Sequence, residues 1–295
     1  MDRLTSMTVF ARVAAARSFS TAARELGISQ ATASKHVQTL EGWLGARLLN
    51  RTTRRVALTD AGASFYTQCT HILEDMEAAR HTSQTTPALR GTLRITAPVG
   101  FGTTHLAPLL VEFMTRNPEL LLSVDLCDRT VDVIEEGYDI AIRFGAAPPN
   151  DTGLVMHRFQ PLRFVICAAP AYLAAYGRPE VPADLARHVC LTDTRHPGDV
   201  WRFIGPEGEA EVQVSGRLKT DNGMLRREAA RTGAGVLLAP EFLVQDDFAA
   251  GRLVRLLPNH ELPIWSLDAV CSASRGASPK VRCFIAFLTA RLGEY

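Results

Sequence analysis

Residues 19–41 read FSTAARELGISQATASKHVQTLE, and this run decides the fold of the amino-terminal part of the chain. Ser20 is placed to cap a short helix over Thr21–Leu26, whose inward face is Ala22, Ala23 and Leu26. Alanines on that face let a second helix cross closely, and Gly27 permits the tight turn between the two. Ser29 caps the second helix, Gln30 to about Leu44, whose apolar positions Ala33, Val37, Leu40 and Leu44 recur at helical spacing. The opposite face then carries Gln30, Ala31, Thr32, Ser34, Lys35 and Gln38. These side chains are short or flexible and rich in donors and acceptors, as a helix entering a major groove requires. A solvated face on any helical hairpin uses the same residue types, so the flanks matter. The start of the second helix presents Ser29, Gln30 and Thr32, where the dipole favours a phosphate, and Ser20 is counted with the DNA-binding residues. After the second helix, Arg51, Thr53, Arg54 and Arg55 precede the apolar Val56-Ala57-Leu58. That pattern suits a small basic hairpin beside the groove, a wing.

Charge distribution supports a polyanion-binding head. The 295 residues carry a formal net charge of +1, which alone says nothing about nucleic acid. Within 1–62, however, Arg3, Arg12, Arg17, Arg24, Lys35, Arg47, Arg51, Arg54 and Arg55 are opposed only by Asp2, Glu25, Glu41 and Asp60. Ahead of the quoted run, Leu4, Met7, Val9, Phe10 and Val13 give a further helical period. Behind it, one long helical pattern runs from Asp60 to Gln84, with Phe65, Cys69, Ile72, Met76 and Ala79 spaced as a coiled-coil seam. The expectation is dimerisation along those five residues. The pattern ends at Thr85-Thr86-Pro87.

After Gly91 the chain alternates short strands and helices, an α/β region in which parallel strands are expected. The expected strands are Leu93–Ala97, Leu120–Leu126, Tyr138–Phe144, Arg163–Ala168, Val212–Lys219, Val236–Leu238 and Leu267–Ala273. The expected helices are Thr104–Arg116, Thr130–Glu136, Pro170–Tyr176, Asn222–Thr232 and Pro279–Leu292. In open α/β sheets, ligands sit beyond the carboxyl ends of strands. Three segments meet that condition: Val99, Gly100, Phe101 and Gly102 with Thr103 and Thr104; Arg143 and Gly145; and Thr220, Asp221 and Asn222, with Asp128 nearby. Glycines admit a ligand to the backbone. Hydroxyls, free amides and Arg143 would offer donors to a small carboxylate at a helix N-terminus.

The motifs form a longer chain of signals. Phe10 and Ser18-Phe19-Ser20 lead into Ala22-Ala23-Arg24-Glu25-Leu26, then Ser29-Gln30, Ser34-Lys35, Leu40-Glu41, Leu44-Gly45, Leu48-Leu49, Arg51 and Leu58-Thr59-Asp60-Ala61-Gly62. This run resembles the LysR-type transcriptional regulators, with Ala33 standing where that family usually carries a larger aliphatic residue. Leu93–Pro98, Tyr138–Arg143, Gly233–Val236 and Leu238–Pro240 resemble the family's effector domain more weakly. The resemblance implies a winged helix-turn-helix (1–59), a linker and dimerisation helix (60–85), and an effector-binding domain (91–295) of two α/β lobes, periplasmic-binding-protein-like. Lobe I would hold 91–162 and 266–295, and lobe II 163–265. It implies dimers of dimers on double-stranded promoter DNA, a small-molecule effector between the lobes, contact with the transcription machinery, and no catalysis, cofactor or metal.

Two other readings compete with this one. Gly100-Phe101-Gly102 follows a strand, as a dinucleotide fingerprint does, but His105 stands where the third glycine should be. No GxSxG elbow or HExxH motif occurs, and the histidines are scattered. A solute-binding protein would share the two-lobed part but not the basic head. The six cysteines Cys69, Cys127, Cys167, Cys190, Cys271 and Cys283 form no CxxC pair and read as small buried hydrophobes. Without an apolar run suited to export or membrane insertion, the expected location is the cytoplasm.

Overall fold

The computed structural model describes residues 2–51, 56–81, 89–145, 153–195, 198–206 and 208–293. These divide into two units, Met1–Gly91 with Asp132–Gly137, and Thr92–Val131 with Tyr138–Tyr295.

The first unit is built on three short helices, α1 (Arg3–Ala16), α2 (Phe19–Glu25) and α3 (Gln30–Leu44). A two-stranded antiparallel ribbon follows, β1 (Leu49–Arg51) and β2 (Val56–Leu58), and then α4 (Asp60–His81). Phe10, Val13, Ala22, Ala33, Val37 and Leu40 form its core. Ser18, rather than Ser20, caps α2, its hydroxyl accepting from the Thr21 amide at 3.3 Å. The helix begins at Phe19, so Ser20 lies inside it, exposed, two residues too late to cap.

The foot of α4 is locked to the ribbon. The Thr59 amide donates to the Leu48 carbonyl at 3.0 Å. The Thr59 hydroxyl accepts from the Gly62 amide at 2.9 Å and donates to the Arg47 carbonyl at 2.7 Å. A Cβ on Gly62 would lie 1.9 Å from the Leu48 oxygen, so only glycine allows this approach. The carboxylate of Glu41 accepts from the amides of Leu48 and Leu49, at 2.8 and 3.2 Å, tying the ribbon to α3.

The second unit carries two sheets. The first has the order β4-β3-β5-β13-β6, from β3 (Gly91–Ala97), β4 (Leu120–Leu126), β5 (Ile140–Phe144), β6 (Leu154–Leu162) and β13 (Trp265–Ser272). The second has the order β12-β7-β11-β8, from β7 (Phe164–Ala168), β8 (Cys190–Leu191), β11 (Val236–Pro240) and β12 (Val254–Leu256). An antiparallel hairpin of β9 (Val200–Gly205) and β10 (Gly208–Gln213) stands apart. The helices are α5 (Val99–Phe101), continued through a π-turn Gly102–Leu106 into α6 (Ala107–Arg116), then α7 (Pro170–Tyr176), α8 (Gly223–Arg231), α9 (Glu241–Ala249), α10 (Ala273–Gly276) and α11 (Pro279–Leu292).

Parallel pairing holds for β3 with β5 and for β11 with β8. It fails for β13 with β5 and β6, and for β7 with β11 and β12, all antiparallel. The reason is topological: the chain passes from one sheet to the other between Leu162 and Phe164, and β13 returns to the first sheet in the opposite sense. The helix expected over Thr130–Glu136 is a run of turns. There Asp132 accepts from the amides of Ile134 and Glu135, both at 2.9 Å, and Gly137 has φ +70°, so the segment turns instead of propagating. The expected strand Val212–Lys219 ends at Gln213; beyond it Ser215 and Lys219 make only single bridges.

Candidate recognition face and ligand cleft

On α3, Ala33 and Val37 are fully buried, Leu40 nearly so and Leu44 half-buried, while Trp43 near the end of the helix is 53% exposed. Gln30, Ala31, Thr32, Lys35 and Gln38 are exposed, and Ser34 is half-buried. Ser29 caps the helix, accepting from the Thr32 amide at 3.0 Å, and its hydroxyl also engages the Thr32 hydroxyl at 2.8 Å. Gly45, at φ +67°, closes the other end in the left-handed conformation. His36, on the side toward α1, meets the Ser6 hydroxyl at 3.0 Å. Of the expected wing residues, Thr53, Arg54 and Arg55 lie outside the described residues; the backbone of Arg51 ends β1.

The expected seam on α4 divides. The Phe65 ring packs 5.5 Å from that of Phe10, and Cys69 is fully buried, its thiol 3.5 Å from the Met7 carbonyl. Both pack against the head's own core, Cys69 fully buried and Phe65 half-buried, because the first turns of α4 lie against α1. Ile72 and Met76 are 47% and 39% exposed. Ala79 lies on the helix, in a stretch where side chains are not described.

In the second unit Gly100 of the first loop reaches a cavity of about 450 Å³. Gly100, Phe101 and Asp128 line it. Its apolar wall includes Phe144, Phe164, Phe242 and Trp265, and one end is charged, with Asp193, Arg195 and Arg226. The rings of Phe101, Phe144 and Phe242 meet one another at 6.0 to 6.2 Å, and Phe164 meets Trp265 at 5.0 Å.

Several expected ligand contacts are engaged elsewhere. The α5 N-terminus is not open to an anion, because the Asp128 carboxylate already accepts from the Val99 amide at 3.1 Å. The hydroxyls of Thr103 and Thr104 donate to carbonyls one turn back, at 2.8 Å to Val99 and 2.7 Å to Gly100. Arg143 turns to the Ile142 carbonyl at 2.7 Å and does not line the cavity. Gly102 serves packing, since a Cβ there would sit 2.3 Å from Leu126. Gly145, at φ +64°, gives way in the same sense to Trp265 at 2.6 Å. Thr220 accepts from the Asn222 amide at 3.2 Å, and neither Thr220 nor Asp221 is in the cavity wall. Asn222 caps α8, accepting from the Leu225 amide at 2.8 Å, and its side-chain amide donates to Asp128 at 3.1 Å.

The charged end is a network that local sequence reading missed. Arg195 clamps Asp193 with Nε at 3.0 Å and Nη2 at 2.6 Å, and donates to the Asp128 carbonyl at 3.1 Å. Arg226 reaches the same Asp193 oxygen at 2.7 Å. Burial works to raise the Asp193 carboxyl, but the hydrogen bond from Arg195 and the charge of Arg226 hold it below its ordinary value. Burial pushes the Asp128 carboxyl up, with Asp221 adding to the effect; the Val99 amide and the charges of Arg195 and Arg226 oppose it. Asp193 and Arg195 lie two residues apart on one turn, whereas Arg226 stands on α8, and only the topology brings it to them.

Comparison with known proteins then decides the family. Residues 4–63 match the model of the bacterial regulatory helix-turn-helix protein of the lysR family, and residues 87–293 match the LysR substrate binding domain. The chain belongs to the LysR family. It is 35% identical over 295 residues to an HTH-type transcriptional regulator of Xanthomonas campestris pv. campestris, covering 98% of this chain and 85% of that one. It is 34% identical to the HTH-type transcriptional regulator DmlR of Escherichia coli, over 99% of this chain and 95% of the relative. The solved structure of CrgA, a LysR-type transcriptional regulator from Neisseria meningitidis, superposes with a TM-score of 0.63 at 32% identity, covering 98% of this chain and 99% of that chain. This LysR-type protein is therefore a transcriptional regulator with a DNA-binding helix-turn-helix and an effector-binding domain, not an enzyme. No described helix is long and apolar enough to cross a membrane.

Proposed function

We propose that this regulator reads promoter DNA in the cytoplasm through the outward face of α3 and answers to a small molecule held in the cleft of its second unit. Gln30, Ala31, Thr32, Ser34, Lys35 and Gln38 face base edges, while Ser20, Arg51, Thr53, Arg54 and Arg55 meet phosphates. The observation that carries this is the division of α3 into a buried apolar face and an exposed polar one, with a capped N-terminus. Base contacts specify and phosphate contacts position. Self-association through Ile72, Met76 and Ala79 on α4 supplies a second recognition helix for a second half-site, about 34–36 Å away, and pairing of dimers extends the footprint. The transcription machinery is the further partner.

Footprinting with a salt titration tests the assignment. Lys35→Ala or Gln30→Ala should narrow the gap between operator and random DNA by roughly 1–3 kcal/mol. Arg54→Ala should weaken binding to every sequence and lower the salt slope by about one. Unchanged affinity and specificity in Lys35→Ala would remove α3 from the major groove.

A further inference from the structure

We infer that the cleft takes a primary ammonium borne on an aromatic ring, with the cation on the Asp128 carboxylate and the ring among Phe101, Phe144 and Phe242. The inference rests on the reading of this cleft as the effector site and goes further by naming the ligand's chemistry.

The first observation is an acid without a cation. The acids in the cavity wall are Asp128, Asp193, Asp199 and Glu211. All but one hold a cation. Asp193 takes Arg195 at 2.6 Å and Arg226 at 2.7 Å, Asp199 takes Lys219 at 2.9 Å, and Glu211 takes Arg202 at 2.7 Å. Asp128 makes no ion pair among the described residues. Its carboxylate accepts only from neutral amides, of Val99 and of the Asn222 side chain, each at 3.1 Å, and Arg195 donates to its backbone carbonyl instead.

Neighbouring charge deepens the deficit. Asp221 also makes no ion pair among the described residues. Burial and then the charge of Asp221 push the Asp128 carboxyl up, against the Val99 amide and the charges of Arg195 and Arg226. With Asp128, Asp193 and Asp221 ionised against Arg195 and Arg226, this end of the cavity is left negative. A carboxylate offers about four lone-pair sites. Each Asp128 oxygen serves a single amide, so acceptors remain for an ammonium. An incoming acid meets like charge here, and a neutral hydroxyl leaves the half-buried carboxylate uncompensated.

The rings supply the rest of the specificity. Phe101, Phe144 and Phe242 meet pairwise at 6.0 to 6.2 Å. Their faces attract a cation, and their edge-to-face arrangement accepts another flat ring. A cavity of about 150 Å³ already admits benzene, and the space of about 450 Å³ here holds a ring with its amine.

Calorimetry on the full chain with benzylamine and phenethylamine tests this, against benzyl alcohol, benzoate and methylamine. Both aromatic amines should bind about tenfold or more tightly than the neutral, anionic and ring-free probes. Asp128→Asn keeps an acceptor for the Val99 amide and should erase the preference for benzylamine over benzyl alcohol. Phe242→Leu should weaken both. The comparison of benzylamine with benzyl alcohol needs no variant, so it stands even if a substitution perturbs folding. Absence of aromatic-amine binding at millimolar concentration, equal or tighter binding of benzoate or benzyl alcohol, or an intact amine preference in Asp128→Asn would overturn the inference. Val200→Trp, which fills the cavity from a partly exposed strand position, separates it from the underlying reading. Benzoate binding that Val200→Trp abolishes keeps the cleft and rejects the ammonium. Amines that bind Val200→Trp as they bind the parent reject the cleft itself.

Discussion

The side-chain amide of Asn222 donates to the carboxylate of Asp128 at 3.1 Å, joining the residue that caps α8 to the one that occupies the amide of α5. The same two side chains thus serve two helix starts and each other. Asn222→Asp keeps an acceptor for the Leu225 amide but sets two carboxylates together, and should cost about 1–3 kcal/mol. Adding Asp128→Asn exchanges donor for acceptor and should recover most of that loss. Urea unfolding of the two single variants and the double variant measures the coupling; independent, additive effects would show that the contact carries no energy.

Asp247 is fully buried and faces Arg227 at 2.6 Å, Arg252 at 2.7 Å and Arg231 at 3.3 Å. Burial acts to raise its carboxyl, but the hydrogen bonds from Arg227 and Arg252 outweigh that and hold it below the ordinary value. With the folded-state value depressed, the stability it contributes is complete above the unfolded-chain value, about 3.9, and is lost as pH falls through the lower folded one. Asp247→Asn should cost about 1–3 kcal/mol near neutrality, since it removes the buried charged acceptor shared by three partly exposed arginines. The gap to the parent protein should close in strong acid. Thermal melts across the acid limb check both the size and the sign.

Gly62→Ala places a methyl group against the Leu48 carbonyl. The ribbon must separate from α4, at about 1–3 kcal/mol, and DNA affinity should fall with it. A melt and an operator titration unchanged in Gly62→Ala would mean that the backbone shifts freely at this junction.

Exposed and buried positions on α4 should behave differently. Ile72→Glu should dissociate the assembly in light scattering while leaving the melting of the head unaltered. Phe65→Ala should do the reverse, destabilising the head by roughly 2–4 kcal/mol at constant mass. A mass unaffected by Ile72→Glu would place self-association elsewhere.

The contrast between Phe65 and Ile72 shows how far a sequence can be read. Both fit one seam by spacing, yet the seam passes from an intramolecular contact to an exposed one within two turns, and periodicity carries no information about which partner covers it. Local signals served well where one element decides its own fate. The face of α3 follows from Ala33, Val37 and Leu40, and α11 has the bounds Pro279–Leu292 given by its pattern. They failed where burial is two-sided or the chain changes sheet. β6 contains Pro161, which argues against a strand by pattern alone. α9 hides Asp247 among apolar neighbours and lacks a clean stripe. In the cleft, Gly100, Phe101 and Asp128 were legible from strand ends, whereas Arg195 and Arg226 acquire meaning only through Asp193.

The place of β13 has a consequence for synthesis. This strand lies between β5 and β6 in the first sheet, yet it is made after every strand of the second. While the nascent chain emerges from the ribosome, β6 has no neighbour to pair with until Trp265–Ser272 follows, whereas β7, β8, β11 and β12 can already assemble. The sheet begun first is finished last. Its unpaired edges must be kept from other chains for the time needed to translate about a hundred residues, some 5–20 s at ordinary elongation rates.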